Sequence, residues 1–276
     1  VHLEAFEDIN GIALEKASII DGLVPNGVAI MNADTPCTKV IETYTNDVTT
    51  LWFGAAAADA SLSDVHVKGA ETHAVLQVEA ATYPVMISSA GRHFAMNALG
   101  ALLAVGYLGA DRRTAATGLA AWNPVDGRGA RHTLNINGGA LDLIDDAYNA
   151  NPTSLRAAMQ VLAEADASRK IAFLGDMKEL GEKEHDFHRE VANWPCTDAI
   201  DTIHTVGPLM KSLHDVLPDG KRGQHYEDSA AMAAQVAHFV QAGDAVLLKA
   251  SLSTNMRKVV DALQELGHPP MDNKGP

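Results

Sequence analysis

The chain has 276 residues, of which 47% are hydrophobic and 20% are charged. This length predicts two domains or one large α/β unit, and the composition excludes a generally disordered protein. The formal net charge of −14 argues against a nucleic-acid-binding protein, because phosphate backbones are held by basic surfaces. Two cysteines far apart in the sequence, Cys37 and Cys196, exclude a disulfide scaffold and a thiolate metal cluster and fit a reducing cytosol.

The sequence predicts a cytoplasmic protein without a membrane span. Its opening residues are acidic and lack the basic and apolar regions of a secretory signal. The longest uncharged run, Phe94 to Ala110, contains Asn97 and three glycines. It is shorter than the ~20 residues that cross a bilayer, so it predicts a buried helix.

The first half of the chain mixes helices and strands. Its patterns predict a helix over roughly 9–23, a strand over 28–34, strands with a hairpin over 48–54 and 64–88, an apolar helix over 91–110 and a shorter helix over 111–122. Proline, aspartate and glycines then interrupt both periodicities at 123–131. We therefore place the domain boundary there, with one domain over 1–124 and a second over 125–276.

The second half alternates strands and helices after a predicted hairpin over 132–146. This alternation indicates βαβ crossovers and a mostly parallel sheet. The patterns predict helices over 153–165, 185–194, 208–217, 229–242 and 255–266, and strands over 170–176, 201–207, 224–226 and 244–251. In such sheets ligands bind beyond the carboxyl ends of the strands, which here carry Gly175–Met177, Gly207 and Lys249–Ser251.

The run LIDDAYNANPTSLRAAM at 143–159 is the most informative segment of the sequence. A strand, an Asx-rich turn and a proline at a helix start would explain Pro152 and Thr153. Two carboxylates, a tyrosine and two asparagines at one strand end favour a functional interpretation. At such a position Asp can accept hydrogen bonds from ribose hydroxyls, while Asn and Tyr can orient a phosphate or a carboxylate.

Several further candidates stay open on the residues alone. Arg128 lies between glycines in the linker, where it either reaches a phosphate with two hydrogen bonds or is a solvated linker residue. Asn97, one turn into a helix, either reads the edge of a base or bonds to the backbone. His185 and His188 have a spacing that could chelate a metal, but we favour a solvated, charged helix face. The sequence has neither GxxxxGKS/T nor GxGxxG after a strand, so nothing in it alone could cradle a triphosphate.

Four motifs together resemble the Mur ligase family: DDAYNANP at 145–152, FLGDMKELGE at 173–182 with His188 after it, the HLEAF start at 2–6 with Lys16, and NAD at 32–34. The resemblance extends to about Gly267. It implies an α/β protein made of the C-terminal portion of a P-loop central domain (1–124) and a Rossmann-like, mostly parallel domain (125–276). The family's UDP-binding domain and P-loop are missing from this sequence, which therefore resembles a fragment that we expect to be inactive alone.

The resemblance implies an ATP-dependent, ADP-forming ligase of peptidoglycan precursor synthesis in the bacterial cytoplasm. The motifs are those of the member that joins D-alanyl-D-alanine to UDP-N-acetylmuramoyl-tripeptide through an acyl phosphate, with ATP and Mg²⁺ as cofactors. Two alternatives remain: a non-catalytic remnant that binds dipeptide or a protein partner, and a sister ligase with another amino acid substrate.

Single residues also receive roles from the resemblance. Magnesium binding and catalysis fall to His2 and to Lys16, the latter as a carbamate that supplies an anionic oxygen ligand. Asn97 is expected to contact adenine. Phe94 departs from the family pattern, because many relatives have a first adenine-facing asparagine at that position.

The resemblance assigns the rest of the nucleotide to residues around the linker and the DDAYNANP run. Arg128 is expected to meet the ATP phosphates and to take part in catalysis. Asp146 is expected to bind the ribose, and Tyr148 and Asn149 to contact phosphate or order the domain interface.

The resemblance places D-alanyl-D-alanine at the ends of two later strands. The residues expected to bind it are Asp176, Glu179, Lys249 and Ser251. The usual KGSR-like strand end reads Lys-Ala-Ser-Leu here. Leu252 therefore replaces an arginine, which removes one expected contact to the dipeptide carboxylate.

Overall fold

The computed structural model describes residues 3–6, 8–57 and 59–267. Packing divides the chain between Asn123 and Pro124 into two compact units, here called the first unit and the second unit. None of the helices in the described residues has the length and apolar character that a bilayer crossing requires.

The first unit is built on a five-stranded sheet in the order β1-β2-β3-β4-β5. Its strands are β1 (Val28–Asn32), β2 (Thr49–Gly54), β3 (Ala60–Lys68), β4 (Glu71–Val78) and β5 (Ala81–Ile87). Its helices are α1 (Leu3–Phe6), α2 (Ile9–Ala17), α3 (Thr38–Thr45), α4 (Arg92–Tyr107) and α5 (Arg112–Gly118). The first three strands run parallel, and the last three form an antiparallel meander that contains the predicted hairpin.

The apolar helix predicted over 91–110 is α4, which covers the meander. Leu99, Leu102 and Leu103 of α4 are buried against apolar residues of the strands. Positions three and four apart share one face of a helix, which is why this spacing forms a core. The helix predicted over roughly 9–23 is α-helical only to Ala17 and continues as a 3₁₀-helix over Ser18–Gly22.

The second unit contains a six-stranded sheet in the order β10-β9-β8-β11-β7-β6. Its strands are β6 (Ala130–Ile136), β7 (Gly139–Asp146), β8 (Arg169–Gly175), β9 (Thr202–Val206), β10 (Arg222–Tyr226) and β11 (Asp244–Lys249). Its helices are α6 (Pro152–Ala163), α7 (Glu184–Glu190), α8 (Lys211–His214), α9 (Ser229–Ala233) and α10 (Arg257–Leu266). All neighbouring strands are parallel except β6 and β7, so the mostly parallel sheet predicted from the sequence is confirmed.

Both faces of this sheet are covered by helices. In β8, Ala172 and Leu174 belong to the core that contains α6, whereas Ile171 and Phe173 belong to the core that contains α10. Successive side chains of a strand point to opposite faces, so the middle of a central strand that is buried on both faces is apolar, as in Ile171–Leu174 of β8 and Ala245–Leu248 of β11. This explains why β8 and β11 contain continuous apolar runs.

Two predicted helices are much shorter than their sequence patterns. The segment 208–217 is α-helical only over α8, and the segment 229–242 only over α9. Around them, backbone N–H groups bond three residues back instead of four, as from Ser212 to Leu209. Such 3₁₀ turns are common in short connections and still bury apolar residues, which is why the apolar spacing overestimates the helix length.

Candidate functional site

The carboxyl ends of β7, β11 and β8 lie side by side in the second unit. Lys249, the last residue of β11, stands opposite Asp146 of β7 on one side and Leu174 of β8 on the other. The loops that follow these strands therefore meet at one edge of the sheet and bring Asp146, Asp176 and Ser251 together. Open α/β sheets bind their ligands at this kind of edge.

The two aspartates at the end of β7 have different environments. The Asp145 carboxylate is buried and accepts hydrogen bonds from the backbone N–H groups of Gly127 (3.0 Å) and Ala147 (3.2 Å). Asp146 Oδ2 lies 2.6 Å from the ammonium of Lys249, and 21% of the Asp146 side chain is exposed. Asp145 therefore stabilises the backbone, whereas Asp146 offers a partly exposed carboxylate.

The glycine-rich linker is bonded to the end of β7. Tyr148 N donates to Gly127 O (2.9 Å), and Gly129 N donates to Asp145 O (2.8 Å). Gly127 has a φ of +76°, which L side chains rarely adopt, and a Cβ there would lie 3.1 Å from the Tyr148 Cβ. Between the glycines, the exposed guanidinium of Arg128 lies 4.2 Å from the centre of the Tyr148 ring. The aromatic ring holds this cation near the strand end.

The asparagines of the turn after β7 differ in role. Asn151 caps α6, because its Oδ1 accepts from Ser154 N (2.9 Å) while its N donates to Ser154 Oγ (3.1 Å). Helix capping therefore explains Asn151 without a role in ligand binding. Asn149 is exposed, its Oδ1 accepts from Ala150 N (2.8 Å), and its carbonyl oxygen accepts from Lys249 Nζ (2.8 Å).

Lys249 and Asp146 form an ion pair in which the lysine side chain is only 1% exposed. Burial lowers the pKa of Lys249 and raises the pKa of Asp146, and the attraction between the two charges opposes both shifts. Each charge stabilises the other at a position where a lone charge would be costly. The ammonium faces Asp146 and the Asn149 carbonyl, so it has no exposed surface for the direct dipeptide contact that the resemblance predicts.

Asp176 follows β8 and has a buried carboxylate. Its Oδ1 accepts from Met210 N (2.8 Å), and its Oδ2 accepts from Lys178 Nζ (2.8 Å). Gly207 has a φ of +97°, and a Cβ there would lie 2.6 Å from the Asp176 carboxylate, so only glycine leaves room for it. Asp176 therefore organises the loops, while Lys178, with 39% of its side chain exposed, presents a cation at the surface.

Ser251 joins the loops that follow the strands. Its N donates to Asp176 O (3.0 Å), and its Oγ accepts from Lys178 N (2.9 Å) and donates to Ala150 O (3.4 Å). Glu179 lies in the same loop, exposed and with a φ of +63°. The residues predicted for the dipeptide thus share one edge with those predicted for the nucleotide in this unit.

His188 is buried, which contradicts the prediction of a solvated helix face at this residue. Its Nδ1 lies 2.6 Å from Glu184 O and donates to it, and its Nε2 accepts from Met177 N at 3.0 Å. These two bonds require a neutral ring, and burial lowers the pKa of His188 accordingly. His188 supports the backbone of the loop over 176–180.

The first unit carries two of the predicted residues. Lys16 is exposed in the last turn of α2, and Asn97 is exposed near the start of α4. The rings of Phe94 and Trp122 lie 5.6 Å apart in this unit. His2 lies outside the described residues. No group of three or more His, Cys, Asp or Glu side chains in the described ranges could hold a metal ion.

The residue pattern alone did not separate Asp145 from Asp146, which only the family resemblance did, and neither singled out Lys178. The alternation of side chains along β7 was a usable signal, since adjacent aspartates must point to opposite sides of a strand. Nothing in the sequence indicated that Asp176 would be enclosed and that Lys178 would carry the exposed charge. That depends on Met210, which lies 34 residues further along the chain.

Comparison with known proteins gives consistent matches over both units. The model of the Mur ligase middle domain matches residues 1–105, and that of the Mur ligase glutamate ligase domain matches residues 131–252. The UDP-N-acetylmuramoyl-tripeptide–D-alanyl-D-alanine ligase of Escherichia coli is 34% identical over 270 residues, a match that covers 96% of this chain and 58% of the relative.

Solved structures give the same result. MurF from Acinetobacter baumannii has a TM-score of 0.80 and 26% identity, with 96% of this chain and 57% of that chain covered. MurF ligase from Thermotoga maritima, solved in complex with ADP, has a TM-score of 0.80 and 25% identity, with 96% of this chain and 60% of that chain covered. The chain thus spans somewhat under two thirds of the proteins it matches, and it belongs to the Mur ligase family.

Proposed function

We propose that this chain is part of an ATP-dependent ligase that joins D-alanyl-D-alanine to UDP-N-acetylmuramoyl-tripeptide in the bacterial cytoplasm. One observation carries the proposal. A partly exposed carboxylate (Asp146), the guanidinium of an exposed arginine (Arg128) and a lysine whose side chain is 39% exposed (Lys178) lie at the edge of the sheet where β7 and β8 end. The domain assignment that goes with it is 1–124 for the central domain portion and 125–276 for the C-terminal domain.

The relatives support this choice of reaction. The Escherichia coli relative is named for the ligation of D-alanyl-D-alanine, and the Thermotoga maritima structure contains ADP. A sister ligase with another amino acid substrate is disfavoured by these names. A non-catalytic remnant would bind dipeptide without releasing ADP, so the assay below distinguishes it from the ligase.

In the proposed reaction, a carboxylate oxygen of the tripeptide attacks the γ-phosphorus of ATP. The bond from that phosphorus to the β-phosphate oxygen breaks, and an acyl phosphate and ADP form. The amine of D-alanyl-D-alanine then attacks the acyl carbon, loses a proton, and displaces inorganic phosphate to form the amide. Catalysis of this kind depends on positioning and on stabilisation of charge.

Two residues of the second unit suit the nucleotide. The exposed part of the Asp146 carboxylate can accept hydrogen bonds from ribose hydroxyls. Arg128 has a planar donor group that can bind phosphate oxygens with two hydrogen bonds, and its stacking on Tyr148 reduces the freedom lost on binding. Asn97, Asn149 and Tyr148 keep the roles toward adenine and phosphate that the family resemblance implies, as proposals.

The loop after β8 suits the dipeptide. Lys178 is held by the buried Asp176 and presents a positive charge next to Ser251. A dipeptide carboxylate is the substrate group that such a cation would attract. Mg²⁺ and the carbamate of Lys16 remain expectations from the resemblance.

The test is ADP formation by the full protein that the gene encodes, with ATP and UDP-N-acetylmuramoyl-tripeptide, in the presence and absence of D-alanyl-D-alanine. We expect ADP release to require the dipeptide. Asp146→Asn should raise KM for ATP about 10- to 100-fold, the loss of one charge-assisted hydrogen bond. Asp166→Asn, at an exposed aspartate after α6, is the matched control and should leave KM unchanged. ADP release that is indifferent to the dipeptide would contradict the proposal.

Lys16 gives a second test in the same assay. It is exposed on a helix, and alanine is a strong helix former, so Lys16→Ala should change the free energy of unfolding by about 0.5 kcal/mol or less. If the role implied by the resemblance is right, turnover should nevertheless fall steeply. Wild-type turnover in this variant would identify Lys16 as an ordinary solvated lysine.

A further inference from the structure

The ammonium of Lys249 is enclosed at the end of β11. It donates to Asp146 Oδ2 at 2.6 Å and to the carbonyl oxygen of Asn149 at 2.8 Å. The side chain is almost completely buried, although it stands at the edge of the sheet where ligands are expected to bind. Its ammonium donates to protein acceptors and leaves almost no surface for a ligand.

Both acceptors of Lys249 belong to the segment after β7. In the parallel sheet, Lys249 and Asp146 are neighbours in register, so the lysine side chain crosses from one strand to the next. Through the Asn149 carbonyl it also holds the turn over 147–151. Ser251 adds a weaker bond from the same loop, its Oγ to Ala150 O at 3.4 Å.

The charges around the pair explain why a lysine is needed. Asp146 has the negative charge of Asp145 beside it, which disfavours its ionised form, and the positive charges of Lys249 and Arg128, which favour it. Arg128 is exposed and stacked on Tyr148, whereas Lys249 is buried and in hydrogen-bond contact. Burial raises the pKa of Asp146, and Lys249 is the cation in direct contact that opposes this rise and fixes the direction of Oδ2.

We propose that Lys249 is a positioning residue for the nucleotide and does not bind the dipeptide. It aims the free part of the Asp146 carboxylate outward and holds the turn over 147–151 through the Asn149 carbonyl. The role toward nucleotide rests on the proposed function. The control of the Asp146 carboxylate and of the turn stands on the hydrogen bonds alone.

The first experiment separates the two substrates. ADP and D-alanyl-D-alanine are titrated separately into the wild-type protein, into Lys249→Met, which removes the ammonium and keeps an unbranched apolar chain, and into Lys221→Met. Lys221 is a matched control, because its ammonium also bridges two acceptors, the carbonyl oxygens of Asp198 (2.7 Å) and Ile200 (2.8 Å), at another part of the same unit. We expect Lys249→Met to weaken ADP binding about tenfold or more and to leave dipeptide binding within about twofold of wild type. Lys221→Met should change neither.

The second experiment does not depend on any ligand. The pKa of the Asp146 carboxyl is measured by carbon NMR over pH, and amide hydrogen exchange is measured over 147–151. Loss of the cation from a buried pair should raise the pKa of Asp146 in Lys249→Met by at least about 1 and speed exchange in the turn, with both quantities unchanged in Lys221→Met.

The outcomes are distinguishable. Weaker dipeptide binding with unchanged ADP binding in Lys249→Met would overturn the proposal, as would an unchanged Asp146 pKa. If wild-type protein binds no ADP, the proposed nucleotide site fails, and the NMR experiment alone decides whether Lys249 controls Asp146. If Lys249→Met does not fold, Lys249→Arg takes its place. The arginine keeps the charge, so the Asp146 pKa should stay near wild type while the altered geometry at the Asn149 carbonyl speeds exchange in the turn.

Discussion

The two ends of β11 each carry a buried charge with a partner from another strand. At the amino end, the Asp244 carboxylate accepts from Arg169 Nε (2.9 Å) and Nη2 (2.7 Å) and from Gln241 N (2.7 Å). At the carboxyl end, Lys249 pairs with Asp146. The same physical requirement, that a buried charge must be paired, is met at both ends.

The two pairs differ in whether the partner of the buried charge keeps a group that could bind a ligand. The Arg169 side chain is 41% exposed. Its guanidinium donates hydrogen bonds to Asp244 and to the carbonyl oxygen of Phe239 (3.3 Å). Asp146 retains an exposed part of its carboxylate among the loops that follow the parallel strands. Buried charge pairs therefore support stability at one edge of the sheet and a candidate binding site at the other.

The largest expected effect comes from breaking the amino-end pair. Asp244→Ala leaves the Arg169 guanidinium and the Gln241 N–H without their acceptor, so the free energy of unfolding should fall by about 3–5 kcal/mol. Urea denaturation followed by circular dichroism measures it. Because the amino edge takes no part in the proposed site, ADP binding by the folded variant should equal that of wild type.

Asp215→Ala is the control for that measurement. Asp215 pairs with Lys211 on the surface, with about half of each side chain exposed, and such pairs contribute about 0–1 kcal/mol. An equal loss of unfolding free energy in Asp244→Ala and Asp215→Ala would show that burial does not increase the contribution of the Asp244 pair to stability.

Between the two edges, His204 of β9 is buried against Phe173 and Phe239. Burial, with a smaller contribution from the nearby His214, lowers the pKa of His204 from its ordinary 6.5 to about 4. Between pH 6.5 and about 4, His204 therefore binds a proton in the unfolded chain but not in the folded chain. Stability is therefore complete above pH 6.5 and falls as pH drops toward 4, by about 3 kcal/mol in total.

His204→Gln tests this pH dependence. Glutamine keeps an acceptor for Gln224 N, which donates to His204 Nδ1 at 3.0 Å, but does not titrate in this range. The loss of unfolding free energy between pH 6.5 and 4 should be smaller in this variant by about that amount. His66→Gln, at an exposed histidine of β3, should retain the wild-type slope; equal slopes in both variants would refute the role of His204.

At the carboxyl edge, Gly207→Ala should lower the free energy of unfolding by about 2–3 kcal/mol. Alanine would be strained at the positive φ of this position, and its Cβ would crowd the buried Asp176 carboxylate. Lys178 should be displaced with Asp176, so dipeptide binding should weaken as well. Thermal and urea unfolding with a dipeptide titration measure both effects. Gly220→Ala, where a Cβ meets no atom within 4 Å, should change stability by about 0.5 kcal/mol or less.

The smallest expected effect concerns the cap of α6. Asn151→Ala should cost about 1 kcal/mol of unfolding free energy. Asp228→Ala removes the cap of α9, where Asp228 Oδ1 accepts from Ala230 N and Ala231 N at 2.9 Å, and should cost about the same. Only the Asn151 variant loosens the turn that contains Asn149, so only it should weaken ADP binding. Equal ADP affinities in the two variants would show that the cap of α6 does not affect the proposed nucleotide site.

The kind of fold in the second unit and the segments that carry chemistry could be predicted from the amino-acid pattern. Short apolar runs such as those in β8 and β11 are typical of strands buried on both faces, and their alternation with helical patterns indicates parallel crossovers. The DDAYNANP and FLGDMKELGE runs identify the family because they are local patterns. Local signals of this kind survive in the sequence since neighbouring residues along the chain are also neighbours in the turn that they form.

The role of each charged residue depends on contacts that form only in the folded protein. Lys249 and Asp146 are 103 residues apart, and nothing along the chain indicates that the lysine faces inward instead of toward a ligand. The burial of His188 and the enclosure of Asp176 by Met210 and Gly207 likewise depend on loops that meet when the strands align. The direction and exposure of a charge are set by the partners that enclose it, and those partners come from distant parts of the sequence.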